Sequence, residues 1–372
     1  MITRVFAAAI LLGALSTQAQ VSMSAYTSFG GGDGWLAPGE GGYTFLGTGN
    51  NERGLAYGNG HVYLVSRNGG NFIRILDSTT GADLGSLNTT GISGGTFAVN
   101  NIAVGGDGTI YVNNLTTQST TTPLKIYQWT TEGSTPTVAY SGNAGLAGSR
   151  VGDSLAATGS GGSTLLALGY NSSPAVAGNN GYALINPTLG TATAVGFTGT
   201  PPNAGDFRLG ITFTDSSHVL GTAGSSLFRY SSFSGASGTL LGSPAIPDPA
   251  GATADRLLAY TVFGGMSLLA VQSIGDSHVS IYNVTDPNSP IYLASGDNTV
   301  SPFANANGTG ELAWGAITSN PDGSTSEILY AMSSNQGIQA FNITIAAVPE
   351  PGTLALAGLG LASLAISRRF RK

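Results

Sequence analysis

Few side chains in this 372-residue sequence have chemistry to offer, and their spacing limits what they can do. Three histidines, His61, His218 and His278, each precede a valine at the start of a candidate strand (HVYLV, HVLGT, HVSIY). That equivalence fits a repeated structural role on a rim, whereas a metal site would need all three to converge from separate segments. There is no cysteine, so thiolate ligands and disulfides are excluded. Serine is abundant, yet no Gly-x-Ser-x-Gly elbow opens a helix, so no nucleophilic triad is indicated. The carboxylates Asp33, Glu40, Glu52, Asp107, Glu132, Asp153, Asp206 and Asp255 lie mostly in or near turns. GGDGT (105–109) and NPDGS (320–324) are turn chemistry, and neither matches a calcium loop with its later Glu. Glu52, Asn101 and Asp153 each lie near the start of a sequence unit. Glycine-rich pieces such as GSGGS (159–163) lack a phosphate-loop lysine and a following helix, which removes nucleotide binding. No cofactor and no metal is expected.

Aromatic faces offer a second chemistry, stacking on sugars. Trp35 and Tyr43 flank a glycine-rich segment, and Tyr127 and Trp129 lie two apart on one strand face. Packing between units is the preferred role for Tyr127, Trp129 and Trp314, which leaves Trp35 as the expected exposed ring.

What must position these residues is a repeat. Strand pairs separated by Gly, Asn and Asp turns recur about every 50 residues, the scale of a propeller blade. The clearest unit, Arg53 to Leu87, reads as strands at 54–57, 62–66, 72–76 and 83–87, with Asp77 and Gly81 shaping the DSTTG turn. Further units begin near Asn100, Asp153, Arg208, Leu257 and Glu311. The last lacks a fourth strand, and GYTFLGT (42–48) is the expected closing strand that would complete it. Runs such as Val62–Val65, Leu165–Leu168, Leu268–Val271 and Ile328–Met332 are continuously apolar, as strands buried on both faces are. The expected fold is therefore all-β: a single β-propeller over residues 20–347, with six blades and seven as the rival count. Tandem β-sandwiches are the alternative architecture.

Composition agrees with a turn-rich β chain, for glycine numbers 57 and charged residues are only 9%. Thirteen cations against nineteen acids give −6, and without Arg4 and the four C-terminal cations the formal charge is −11. An acidic body with no basic run makes nucleic acid and polyanionic polysaccharide poor partners.

Both ends read as targeting segments. Residues 1–19 have one charge, Arg4, an apolar run from Val5 to Leu15, and small residues leading to Ala19, the pattern of a signal peptide cut by signal peptidase before Gln20. Residues 348–372 give Pro349, Glu350 and Pro351, then an apolar segment (352–367), then a basic end (368–372) with Arg368, Arg369 and Arg371. A helix over Leu354–Ile366 would be apolar on every side and reach roughly 20 Å, so a transmembrane span is tight. The basic end would stay cytoplasmic, with the body on the other side.

This tail resembles the PEP-CTERM signal of Gram-negative exoproteins. The resemblance implies a transient inner-membrane anchor, cleavage near Pro349–Pro351 by an exosortase-type transpeptidase, and release to the cell surface or extracellular matrix. Within the body, ILDSTTGADLGSL resembles the hairpins of quinoprotein-type and surface-antigen propellers, and IYNVTDPNSPIYLAS the Asp-Pro-x-x-Pro turn of other extracellular propellers. Quinone dehydrogenases also repeat a tryptophan docking motif, which Trp35, Trp129 and Trp314 do not reproduce in register. Gluconolactonase-type propellers need a Glu, an Asn and an Asp at the channel, and Glu52, Asn101 and Asp153 are the residues that could answer. The functional expectation is an exported, non-catalytic propeller that binds extracellular polysaccharide or a surface protein. The alternative is a secreted hydrolase or lyase with its site in the central channel.

Overall fold

The computed structural model describes residues 20–172, 181–197, 203, 205–222, 227–247, 255–300, 305 and 307–347. The expected signal peptide, with its cleavage residue Ala19, lies outside the described residues, and so does the tail with Pro349, Glu350, Pro351, Arg368, Arg369 and Arg371. No helix among the described residues is long and apolar enough to cross a membrane.

The fold is all-β in a propeller-like arrangement. Among the described residues the helical structure is confined to three single turns, Gly30–Gly32, Glu40–Gly42 and Gly161–Ser163. Strands pair with their sequence neighbours into antiparallel meanders of four, the arrangement that short turns permit. The first meander contains Glu52–Gly58, His61–Ser66, Phe72–Asp77 and Asp83–Ser86, and the second runs from Phe97–Val104 to Thr137–Gly142. A third (Ala156–Thr158 to Thr191–Phe197) and a fourth (Ile211–Phe213 to Ser237–Gly242) share one nine-stranded sheet. Their outermost strands pair in parallel there, Gly196 with Ser237 and Phe197 with Gly238, so each covers the other's edge. The fifth spans Asp255–Phe263 to Ile291–Gly296, and the sixth contains Gly310–Ser319, Thr325–Ser333 and Ile338–Ile345.

The sixth meander is completed from the N-terminus, but not by the expected segment. Val21–Ala25 pairs antiparallel with Ile338–Ile345 from Val21↔Ile345 to Ala25↔Phe341, and Trp35–Leu36 pairs with the far end of the same strand. Residues 42–48 are turns, which corrects the closing strand expected there. The physical reason is local. Gly39, Gly41 and Gly42 adopt positive φ and coil the chain, while Phe45 and Leu46 are pulled into the core between the sixth and first meanders. Tyr43 stacks on Phe45 with centroids 5.0 Å apart, and its hydroxyl accepts the Asp83 amide. VSMSA supplies the alternation that an outer strand with one wet face requires, with Val21 buried and its neighbours partly exposed.

Core clusters sit between consecutive meanders, and one of them joins the sixth to the first through Leu55, Leu76, Ala313 and Tyr330. The innermost strands therefore surround a common axis. Close approach there needs missing side chains: a Cβ at Gly54 would lie 2.8 Å from the Asn101 backbone, and one at Gly210 would lie 2.1 Å from the Arg256 carbonyl.

Candidate ligand site at the channel mouth

The axis holds a cavity of about 270 Å³ lined by the first strand of every meander. At one level stand Leu55, Ile102, Leu155, Ile211, Leu258 and Leu312, all buried. One residue further on come Ala56, Ala103, Ala156, Thr212, Ala259 and Ala313, and beyond these Tyr57, Tyr260 and Trp314. Such walls offer no acid pair and no cluster of hydroxyls. Glu311 is the one carboxyl among the residues lining this cavity. Burial pushes it up to about 8, against hydrogen bonds from Asn101 and the Leu312 amide.

Two or three residues before the aliphatic level the chemistry changes. Arg53, Asn100, Asp153, Arg208, Arg256 and Thr309 approach the same end of the axis, joined by Arg67 and Arg150. A cleft of about 390 Å³ opens there, lined by Arg53, Arg67, Arg150, Asp153 and Arg208 with Asn50, Asn51, Asn307 and several threonines. Five of the eight cations between residues 20 and 347 gather at this mouth.

Local backbone irregularity helps to aim them. The pairing of the first two strands slips between Glu52 and Gly54, and that of Asp255–Phe263 with its neighbour slips between Asp255 and Leu257. The extra residues are Arg53 and Arg256, and a bulge of this kind re-aims the side chain it carries.

Each guanidinium has a distinct setting. Arg150 grips Asp153 as a fork, Nε to Oδ2 and Nη2 to Oδ1, both at 2.7 Å, and Arg208 Nη1 donates to the same Oδ2 at 3.0 Å. Burial works to raise the Asp153 carboxyl, but those bonds and the charges of Arg150 and Arg208 outweigh it and hold it below its ordinary value. Arg53 is 4% exposed and donates to Asn100 Oδ1 at 3.3 Å and Thr309 Oγ1 at 2.7 Å, linking the first meander to the second and sixth. Burial lowers its pKa, and repulsion from Arg150 and Arg208 adds to that. Arg67 lies over the Phe97 ring at 3.5 Å and donates from Nη2 to the Asn50 carbonyl, while its buried Nε and Nη1 meet no partner among the described residues. Burial, reinforced by Arg53, pushes Arg67 down to about 10. Arg256 Nε is likewise buried without a described partner.

The acids at this level are fewer. Asp153 is firmly ionised, Asp255 is buried next to Arg256 in the chain, and burial raises Glu52 toward its neutral form. Positive charge is therefore in excess at the mouth of an otherwise acidic body.

The residues expected from sequence fall into three groups. Glu52, Asn101 and Asp153 do not assemble a catalytic trio. Glu52 Oε1 accepts the Gly47 amide at 2.8 Å, Asn101 donates to the Asp153 carbonyl at 3.3 Å, and the Asp153 carboxylate is consumed by arginines. No group of three His, Cys, Asp or Glu able to hold a metal exists among the described residues. His61 pairs with Glu132 at 2.7 Å and His218 with Asp215 at 2.9 Å, each at a hairpin. Tyr127 and Trp129 are buried, with Trp129 Nε1 donating to the Asn88 carbonyl. Trp314, expected to pack between meanders, lines the channel as well, and Trp35 is half-buried, its Nε1 donating to the Gln336 carbonyl at 2.7 Å. Sequence reasoning missed the arginines. Aligning ERGL, DRLL and FRLGI on their channel-lining residues Leu55, Leu258 and Ile211 places Arg53 and Arg256 two residues before that level and Arg208 three before it.

Comparison with known families bears first on the tail, where residues 347–372 match the PEP-CTERM protein-sorting motif. The chain carries a PEP-CTERM sorting tail. Such a tail marks a protein for export and exosortase processing. Residues 42–178 match a domain of unknown function, DUF4623. A DUF4623 family protein from Bacteroides eggerthii has a similar fold, with TM-score 0.57 and 18% identity over 82% of this chain and 72% of that one. The major Malassezia sympodialis allergen Mala s 1 follows at TM-score 0.46 and 13% identity, covering 80% of this chain and 92% of that one. A Pseudomonas aeruginosa periplasmic gluconolactonase gives 0.43 and 13%, with 80% and 88% covered. At 18% identity the first of these likenesses is one of fold alone. No curated protein matches the chain.

Proposed function

We propose that the protein is an exported six-bladed propeller, held at the cell surface or in the extracellular matrix, that binds a glycan or protein ligand at its arginine-lined mouth and does not turn it over. The carrying observation is the pairing of a sorting tail with a charged cleft: five guanidiniums gather at the mouth of a channel whose walls are mostly apolar. In this reading residues 1–19 are removed by signal peptidase after Ala19. The segment 352–367 is a transient transmembrane helix with its basic end cytoplasmic, and an exosortase cuts near Pro349–Pro351. Four meanders in sheets of their own and two in the shared sheet are the six blades, with Val21–Ala25 closing the ring.

Intact-mass spectrometry on cell-associated and medium fractions of the native culture tests the sorting half. A mass running from Gln20 to the Pro349–Pro351 region, outside the cell, is expected. Full-length chain retained in membranes through Lys372 would sink it. Immobilised protein incubated with extracellular polymer and surface-protein fractions tests the binding half, with enrichment lost when the mouth arginines are replaced.

One observation keeps an enzyme in view: Glu311 is a carboxyl held toward its neutral form inside an apolar channel, a setting suited to a general acid. A secreted hydrolase or lyase of this kind would show turnover of lactone or glycan substrates that Glu311→Gln abolishes. Turnover unaffected by that change would remove this second reading.

A further inference from the structure

We propose that the mouth is a site for a carboxylate-bearing saccharide of one or two rings, its carboxylate taken by Arg67 and the neighbouring arginines and its hydroxyls by the surrounding asparagines and threonines. This rests on the reading of the mouth as the recognition face. Four features support it. First, Arg67 Nε and Nη1 are buried donors without a described partner, and the ring of Phe97 fixes the plane they lie in. Nε–H and Nη1–H leave opposite sides of the guanidinium plane's axis, so each offers a separate charge-assisted bond to an anionic oxygen in a direction fixed by the stacked ring, which the rotating ammonium of a lysine could not offer. Second, the site already contains the interaction in intramolecular form, since Arg150 and Arg208 hold the Asp153 carboxylate between them. Third, the excess charge is confined. Four arginines line one cleft, with Arg256 nearby, while the rest of the body is acidic, which suits a single anionic group and offers no extended basic track to a long polyanion. Fourth, a cleft of about 390 Å³ falls in the size class of small-molecule sites, and Asn51, Thr96, Thr117 and Asn307 give it a rim of hydroxyl and amide groups.

Isothermal titration calorimetry on the full-length chain in detergent tests this with D-glucuronate, D-glucose and sodium sulfate as probes at low and high NaCl. Glucuronate is expected to bind at least tenfold more tightly than glucose or sulfate, and several-fold more weakly at high salt. Arg67→Gln should weaken glucuronate at least tenfold, and Arg67→Lys should fall between, because it keeps the charge and loses the fixed planar donors. Lys125→Ala, which removes a cation that does not line the cleft, should leave the preference for glucuronate over glucose unchanged. Unfolding midpoints close to that of the unaltered protein confirm that the variants fold. Should glucose bind as tightly as glucuronate and Arg67→Gln weaken both, the mouth remains the recognition face and the carboxylate assignment falls. Should sulfate match glucuronate, the site takes oxyanions and the saccharide assignment falls. If neither Arg67 variant moves the glucuronate affinity, the mouth is not the site at all.

Discussion

The arginine mouth and the aliphatic waist of the channel are made by the same six strands, two or three residues apart. At the waist, leucine and isoleucine from all six first strands line the channel, and a charge placed among them is poorly solvated. At the mouth the strands begin, the pairing slips at Arg53 and Arg256, and the side chains turn into a cleft that water reaches. The difference shows that in a ring of radial strands the chemistry of a position is set by its height on the axis more than by its neighbours in sequence. Charged groups stand where the strands start. Aliphatic ones stand where they converge.

The sharpest way to break this contrast is to unbalance the mouth. Asp153→Ala leaves Arg150, Arg208 and Arg53 facing one another without their shared counter-charge, at a cost of about 3–5 kcal/mol. Because its folded pKa is depressed, the Asp153 carboxylate contributes stability that is present above the unfolded value of about 3.9 and lost as pH falls through the folded one. The unaltered protein should therefore weaken on the acid side while Asp153→Ala shows less of that loss. Denaturant unfolding from pH 2 to 7 reads both, and added sulfate should recover part of the deficit in the variant.

Next in size is the opposite end of the channel. Trp314→Ala removes the indole whose Nε1 donates to the Ala259 carbonyl at 3.0 Å and whose ring tilts against Phe263 at 6.0 Å. Since Trp314 is only partly buried, the loss should be about 2 kcal/mol, below the range for a fully buried aromatic. Its effect on ligand affinity at the mouth should be negligible, and calorimetry beside thermal unfolding would show whether the two ends are independent.

The meander repeat was legible in the sequence because period-two runs and Gly-Asx turns are local signals, and the apolar runs Val62–Val65 and Leu268–Val271 are indeed buried strands. The closing strand was not legible. GYTFLGT carries stronger aromatic character than VSMSA, but its aromatics serve the core between two meanders, and only tertiary pairing with Ile338–Ile345 reveals which segment is the strand. The site was largely hidden for a related reason. Net charge averages over the whole body, so an acidic total concealed five arginines brought together by topology from four different meanders. Glu52, Asn101 and Asp153 form no trio, because Glu52 turns to the Gly47 amide and Asp153 serves as an anchor for arginines.

Glu311 tests the waist itself. Its folded pKa of about 8 lies above the unfolded value, so the folded state binds the extra proton and stability falls as pH rises from about 4.3 to about 8. Glu311→Gln keeps the hydrogen-bonding shape without the ionisation. Because the channel admits some water, the variant should gain about 1–2 kcal/mol at pH 8 and nothing at pH 5. Parallel slopes for the two proteins in a pH series of thermal unfolding would show that the waist is wetter than its aliphatic walls imply.

The smallest effect is expected at Arg67, and it discriminates most finely. A residue kept for stability loses stability when truncated. A residue held with buried donors unmet and a lowered pKa should cost little to replace. Arg67→Gln forfeits the stacking on Phe97 and the bond to the Asn50 carbonyl but relieves repulsion from Arg53, so the net change without ligand should stay within about 1 kcal/mol of zero. With 10 mM glucuronate present, the unaltered protein should gain stability by mass action and Arg67→Gln should gain less. A loss of several kcal/mol in the absence of any ligand would instead make Arg67 a structural brace, and the mouth would then differ from the waist in composition but not in purpose.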